Sequence, residues 1–313
     1  MNDVEQQTVP QTNKQPIRLG HSPDADDAFM FYAIAKGKVD TANFEFEHVI
    51  EDIESLNNRA MRAELDITAV SFHAYGLISD KYAILSSGAS FGFHYGPIVV
   101  TRMTDLSKKL AGKRIAVPGT LTTAYLLLKL YEPNFIPEVV PFDQIMKHVY
   151  EGKVDAGLLI HEGQLTYGRH KLHKVMDLGE WWDSKTGLPL PLGADVVKKD
   201  LPMETQRKLA GILKASIEHA FLNRRDALEY ALPYSRGMDP RLVDEFVAMY
   251  VNEYTLHYDD KARKAVEKLF SEAHGPLQTI PRVWLFFHPP AFHLRAITRG
   301  LCYRLAARDP AYP

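Results

Sequence analysis

The chain of 313 residues is long enough for one large or two medium domains, each with its own core. Its 46% hydrophobic and 24% charged residues describe a soluble globular protein, and a net charge of −2 gives no electrostatic case for nucleic acid or an anionic membrane surface. A single cysteine, Cys302, excludes an internal disulfide and any cysteine-built metal cluster.

Residues 1–16 are polar and lack the apolar centre of a secretory signal, so they read as a disordered tail and the chain as cytoplasmic. A strand is expected over 17–21, ending in Ser22-Pro23. Asp24-Ala25-Asp26-Asp27 then opens a helix over 28–36 that Gly37 closes. Carboxylates in a first turn complement the positive end of a helix. A divalent cation on these aspartates is the alternative, although their spacing matches no established loop. Residues 44–49 alternate apolar and polar side chains with period two, a half-buried strand.

A helical segment, 53–63, is followed by Glu64 and Asp66, a short apolar strand over 67–70, and then Ser71-Phe72-His73. The same design returns later. A helical segment at 142–151 leads to Asp155, an uncharged strand over 156–160, and then His161-Glu162-Gly163. The two passages read as equivalent parts of two similar lobes, each presenting a polar residue where open α/β sheets place their ligands. The plainer alternative is two ordinary strand ends, with His161 hydrogen-bonded in a core.

Strands are also expected at 82–85 and 97–101, flanking a Gly- and Ser-rich loop over 86–96, and at 115–117. After the turn 118–120, Thr122 and Thr123 open a helix that runs to 131. Backbone N–H groups and hydroxyls there can hold a carboxylate or phosphate, or the threonines can be plain caps. Residues 171–178 read as a strand and turn, and Trp181-Trp182 as core side chains or a cover for an aromatic ligand. Residues 187–193 read as an irregular crossing between lobes. Helices follow over 202–232, 240–254, 259–273 and 292–308, the last with a solvated or docking face of Arg295, Arg299, Arg304 and Arg308. The expected architecture is α/β in two lobes. Residues 17–102 and 190–313 form one lobe with a helical C-terminal portion, and 103–189 form the other, with hinges near 100–105 and 187–193.

Several motifs occur together in this order: Ser22-Pro23 with Asp27-Ala28-Phe29, Val70-Ser71-Phe72-His73-Ala74-Tyr75-Gly76, Gly96-Pro97, Thr122-Thr123-Ala124 and His161-Glu162-Gly163. Over residues 17–200 they resemble the 1,4-dihydroxy-6-naphthoate synthase family of the futalosine route to menaquinone. The resemblance implies a two-lobed, type II periplasmic-binding-protein-like fold with a ligand cleft between the lobes. It implies no cofactor and no metal, and a small anionic substrate, cyclic de-hypoxanthine futalosine. It puts His161 on the general base. Ser71 with Val70, Thr122, Thr123 and Asp27 fall on substrate-binding positions.

The chain departs from that family in its first loop, where Ser-Pro-Cys-Pro-Asn-Asp-Thr-Phe is usual and Ser-Pro-Asp-Ala-Asp-Asp-Ala-Phe stands here. Asp24 and Asp26 repel an anionic substrate unless they face away or find a cationic partner. Phe91-Gly92-Phe93-His94-Tyr95 likewise replaces a more basic Gly-Arg-Gly pattern. Two other functions fit the same fold: a non-catalytic solute-binding protein for a small carboxylate, and a chorismate dehydratase. Ser71 lacks a nucleophile elbow, and His161, His170 and His173 lack a zinc-ligand spacing, which sets hydrolase chemistry aside.

Overall fold

The structure is a computed structural model and describes residues 14–102 and 109–274. The chain opens with β1 (Gln15–His21), α1 (Ala25–Ala35), β2 (Phe44–Ile50), α2 (Ile53–Met61), β3 (Ile67–Ser71), α3 (Phe72–Ile78), β4 (Tyr82–Ile84) and β5 (Ser90–Gly92). Next come β6 (Ile98–Thr101), β7 (Arg114–Val117), α4 (Thr123–Tyr131), β8 (Ile136–Val139), α5 (Ile145–Tyr150), β9 (Ala156–Leu159), α6 (Gly163–Thr166), β10 (His173–Asp177) and α7 (Leu178–Thr186). The remainder is β11 (Leu190–Lys198), α8 (Met203–Leu222), α9 (Arg224–Ala231), α10 (Pro240–Tyr250), α11 (Glu253–Leu256) and α12 (Asp260–His274).

The strands form two sheets built on one plan. The first has the order β2-β1-β3-β11-β4, with β5 also on β11; the second has the order β10-β6-β9-β7-β8. In the first, β1 is parallel to β2 and β3, and β3 is antiparallel to β11. In the second, β7 is parallel to β8 and β9, and β9 is antiparallel to β6. The passages around Ser71 and His161 are therefore topological counterparts, and so are the starts of α1 and α4. All four lie at carboxyl ends of parallel strands, where such sheets leave a crevice.

Burial explains why the elements are cut where they are. Residues of α1 from Ala28 to Ile34 are all buried, because α8, α9 and α10 pack around it. Strands β7 and β9 are apolar throughout their buried residues, as sheet centres covered on both faces require.

Several expectations need correction. β6 belongs to the second sheet, so the chain changes sheet before residue 98 and not at 102–103. Residues 190–193 are the start of β11, where Pro191 and Gly193 are accommodated by a register shift against β5. The helical run 202–232 divides at Asn223, and 240–254 divides at Asn252, whose side chain caps α11. Trp182 is buried with its Nε1 donating to the Pro189 carbonyl, and Trp181 meets Tyr131 edge-on, so the pair packs and covers no ligand. Gln15 and Pro16, expected in the tail, open β1; residues 1–13, the expected helix 292–308 and half of the hinge expected at 100–105 lie outside the described residues. Among the described residues no helix is long and apolar enough to cross a membrane.

Candidate active site

The four strand ends meet around a cavity of about 120 Å³. The six residues that the family resemblance places in the site all line it: His161, Ser71, Val70, Thr122, Thr123 and Asp27.

His161 follows β9 with its backbone at φ +59, in the left-handed region that disfavours side chains. That turn swings its ring across the cleft. Nδ1 lies 2.7 Å from Oδ2 of Asp24, whose side chain is 1% exposed. Asp24 also accepts from Ser22 Oγ at 2.7 Å and from Arg236 Nη1 at 2.7 Å. The same Arg236 nitrogen donates to Glu162 Oε2 at 2.7 Å, and the guanidinium lies over the Phe142 ring. Phe142 in turn meets the His161 ring edge-on at 4.8 Å. The carboxylate expected to repel an anionic substrate is thus held between the Arg236 guanidinium and the His161 ring.

With Nδ1–H donating to Asp24, Nε2 keeps its lone pair. Nε2 is buried, and no group among the described residues hydrogen-bonds to it. Burial works against the imidazolium, but the charge and hydrogen bond of Asp24, followed by Glu162 and Asp26, outweigh it and raise the His161 pKa. Burial also disfavours the Asp24 carboxylate; His161 and then Arg236 and Ser22 reverse this and bring its pKa below the usual range.

The neighbouring aspartates go the other way. Burial, then the charges of Asp27 and Asp24, push the Asp26 carboxyl well above its ordinary range, and Oδ1 has no partner. Burial lifts Asp27 to about 6 even though its Oδ2 accepts the Ser22 N–H at 2.5 Å. Two of the three aspartates are therefore shifted toward the neutral form, whereas the third is held as an anion. Asp24 is fully engaged by His161, Ser22 and Arg236, which removes it as a cation ligand. Among the described residues no group of three His, Cys, Asp or Glu is arranged for a metal ion.

Ser71 ends β3 and begins α3. Its N–H donates to Asn57 Oδ1 at 2.9 Å, and its Oγ accepts from Asn57 Nδ2 at 3.2 Å, which leaves the hydroxyl proton for the cavity. The two threonines divide the work differently from expectation. Thr122 Oγ1 accepts from Tyr125 N and donates to the Gly119 carbonyl, so its hydroxyl is a helix cap. Thr123 Oγ1 donates to the Leu192 carbonyl and accepts from His73 N, tying α4 to the first sheet. What α4 offers a ligand is its first-turn backbone N–H groups at Thr123 and Ala124, both at the cavity wall.

A family description, menaquinone biosynthesis, matches residues 17–275 of this chain. The chain belongs to that family. A relative from Thermus thermophilus named 1,4-dihydroxy-6-naphthoate synthase is 40% identical over 261 residues, covering 83% of this chain and 95% of the relative. A solved structure from Archaeoglobus fulgidus is 51% identical with a TM-score of 0.79, over 82% of this chain and 96% of that one. A Candida albicans protein described as having the generic periplasmic binding protein fold aligns at 14% identity and TM-score 0.63, over 85% of this chain and 92% of its own. That last likeness shows the two-lobed fold.

For this member of the menaquinone biosynthesis family, sequence reading missed Arg236, Asn57, Asp195 and the Gln164–Tyr250 hydrogen bond of 2.7 Å. Arg236 and Asp24 are 212 residues apart, and no local pattern links them. Asn57 gave a weak signal, as an uncharged polar residue on the apolar face of α2 with Leu56 and Ala60.

Proposed function

We propose that this chain is a cofactor-independent lyase of menaquinone biosynthesis. It opens cyclic de-hypoxanthine futalosine to 1,4-dihydroxy-6-naphthoate, with His161 as general base. The observation that carries the reading is the His161 ring: Nδ1 is pinned by Asp24, and the bare Nε2 is buried at the cavity wall. Membership in the menaquinone biosynthesis family supports the pathway, and the name of the Thermus thermophilus relative supports the naphthoate product.

In this reading Nε2 takes a proton from the substrate, and the imidazolium that forms is stabilised by Asp24. The electron pair left behind drives cleavage of a carbon–carbon bond that releases the fragment not retained in the naphthoate. Ser71 and the first-turn N–H groups of α4 hold the substrate's anionic oxygens, where the helix end favours negative charge. The two lobes close over the ligand and exclude water, which strengthens every one of these interactions. A cytoplasmic location belongs to the same reading.

The test is turnover of cyclic de-hypoxanthine futalosine by the purified protein, with His161→Gln in parallel and chorismate as the competing substrate. Naphthoate from wild type and none from the variant is the expected result. Binding without product supports a solute receptor, and dehydration of chorismate moves the chain to the other enzyme class.

A further inference from the structure

Asp195 occupies the middle of β11, opposite Ala69 of β3, and is 1% exposed. Among the described residues neither carboxyl oxygen has a hydrogen-bond partner. The residue nevertheless lines the cavity that holds His161, from the other sheet. Gly88 packs its backbone against it: at φ +89, with a virtual Cβ that overlaps Asp195 Oδ2, position 88 admits no side chain between the loop and the carboxyl.

Among the described residues no cation answers this group. The ionisable side chains that bear on it are Asp27 from α1 and Tyr258 from the turn before α12, and neither supplies positive charge. Burial and then Asp27 hold the Asp195 carboxyl well above the usual carboxylate range. A neutral carboxylic acid carries one O–H donor, and a buried donor without an acceptor is costly. The cavity is where its acceptor belongs.

We propose that Asp195 is a ligand-binding residue, a neutral carboxylic acid whose O–H donates to an uncharged hydroxyl or carbonyl oxygen of the bound small molecule. The neighbouring Asp27 turns an anionic group away from this end of the cavity, whereas the first turn of α4 attracts one. Asp195 therefore fixes which way round the ligand lies. The inference rests on the lyase reading for the identity of the ligand alone.

Infrared difference spectra of wild type against Asp195→Asn, at pH 7 and without ligand, test the protonation state directly. The expected result is a protonated-carboxyl C=O band present only in wild type, which shifts to lower frequency when cyclic de-hypoxanthine futalosine binds. A missing band, or a band that does not move in the complex, overturns the proposal. In kinetics, Asp195→Leu, which has similar size and no donor, raises KM roughly ten- to a hundred-fold with a smaller change in kcat. Asp195→Asn, whose amide still donates, recovers most of that loss; equal KM values for the two variants count against the proposal. A wild type that binds the futalosine without turnover removes the lyase reading and leaves this inference to the band shift. A wild type that binds neither the futalosine nor chorismate overturns both.

Discussion

Nδ1 of His161 stands 2.7 Å from Oδ2 of Asp24, although His161 follows a strand of the second sheet and Asp24 follows a strand of the first. The contact does two things at once. It favours the proton on Nδ1, which leaves Nε2 with its lone pair for the role proposed above. It also ties the two sheets together at the place where chemistry is proposed. In the family that this loop resembles, a cysteine usually stands where Asp24 does, so in this chain the proposed base faces a carboxylate.

Asp24→Asn tests the electrostatic half. The His161 pKa is raised above its ordinary 6.5, so the basic form, and with it kcat/KM, is expected to climb with pH through a midpoint above that value. Without Asp24 the main raising influence is gone while burial, which lowers the pKa, remains. The midpoint should move down, and the rate above it should fall about a hundred-fold or more because the tautomer is no longer held. A pH–rate profile from about pH 5 to 9 reads both effects. An unmoved midpoint would show that Asp24 does not govern the base.

Arg236→Leu should move the same midpoint the opposite way. Arg236 partly neutralises Asp24 and Glu162, and both of these carboxylates raise His161. Removing the guanidinium leaves two bare anions beside the imidazole, favours the imidazolium and shifts the acidic limb to higher pH. The phenylalanine beneath it, Phe142, loses its cation–π partner as well, so some loss of thermal stability is expected. Opposite shifts in the two variants, measured under one buffer series, would be hard to obtain from nonspecific damage.

The strand ends were legible in the sequence because they are local. Each short apolar run, from Ile67 and from Ala156, stops at a polar residue, and that pattern is enough to nominate Ser71 and His161. The partners of those residues were not legible. Asn57 reaches Ser71 from the preceding helix, and Arg236 reaches Asp24 from the far end of the chain; these pairings are set by how elements pack and carry no periodicity. β8 escaped notice for a related reason. It is an edge strand with exposed Ile136 and Val139 and a Pro at its second position, so it shows neither alternation nor a buried run. The threonines show the reverse error, since a helix-opening Thr-Thr was correctly located while their hydroxyls are committed to the fold.

Asn57 is fully buried and meets Ser71 with both ends of its amide, so Asn57→Ala should affect binding and stability together. Loss of two buried hydrogen bonds costs about 1–3 kcal/mol and lowers Tm by several degrees. Ser71 then loses the contact that orients its hydroxyl, and KM should rise about ten-fold while the pH profile stays in place. A changed acidic limb in this variant would mean that Asn57 communicates with His161 and not only with Ser71.

The backbone at His161 offers a test that separates fold from chemistry. Its φ of +59 is tolerated by Asn far better than by a β-branched residue, for which this region costs ~1–2 kcal/mol. His161→Asn and His161→Val should both abolish turnover, since neither supplies a base. They should differ in stability, with the valine variant melting several degrees below the asparagine variant. Each loses the imidazole that Asp24 faces, and the asparagine amide can still donate to Asp24, so the difference reports the turn together with that hydrogen bond. Equal melting temperatures would mean that the loop after β9 relaxes freely. The geometry that presents Nε2 to the cavity would then be imposed by the Asp24 contact and not by the backbone.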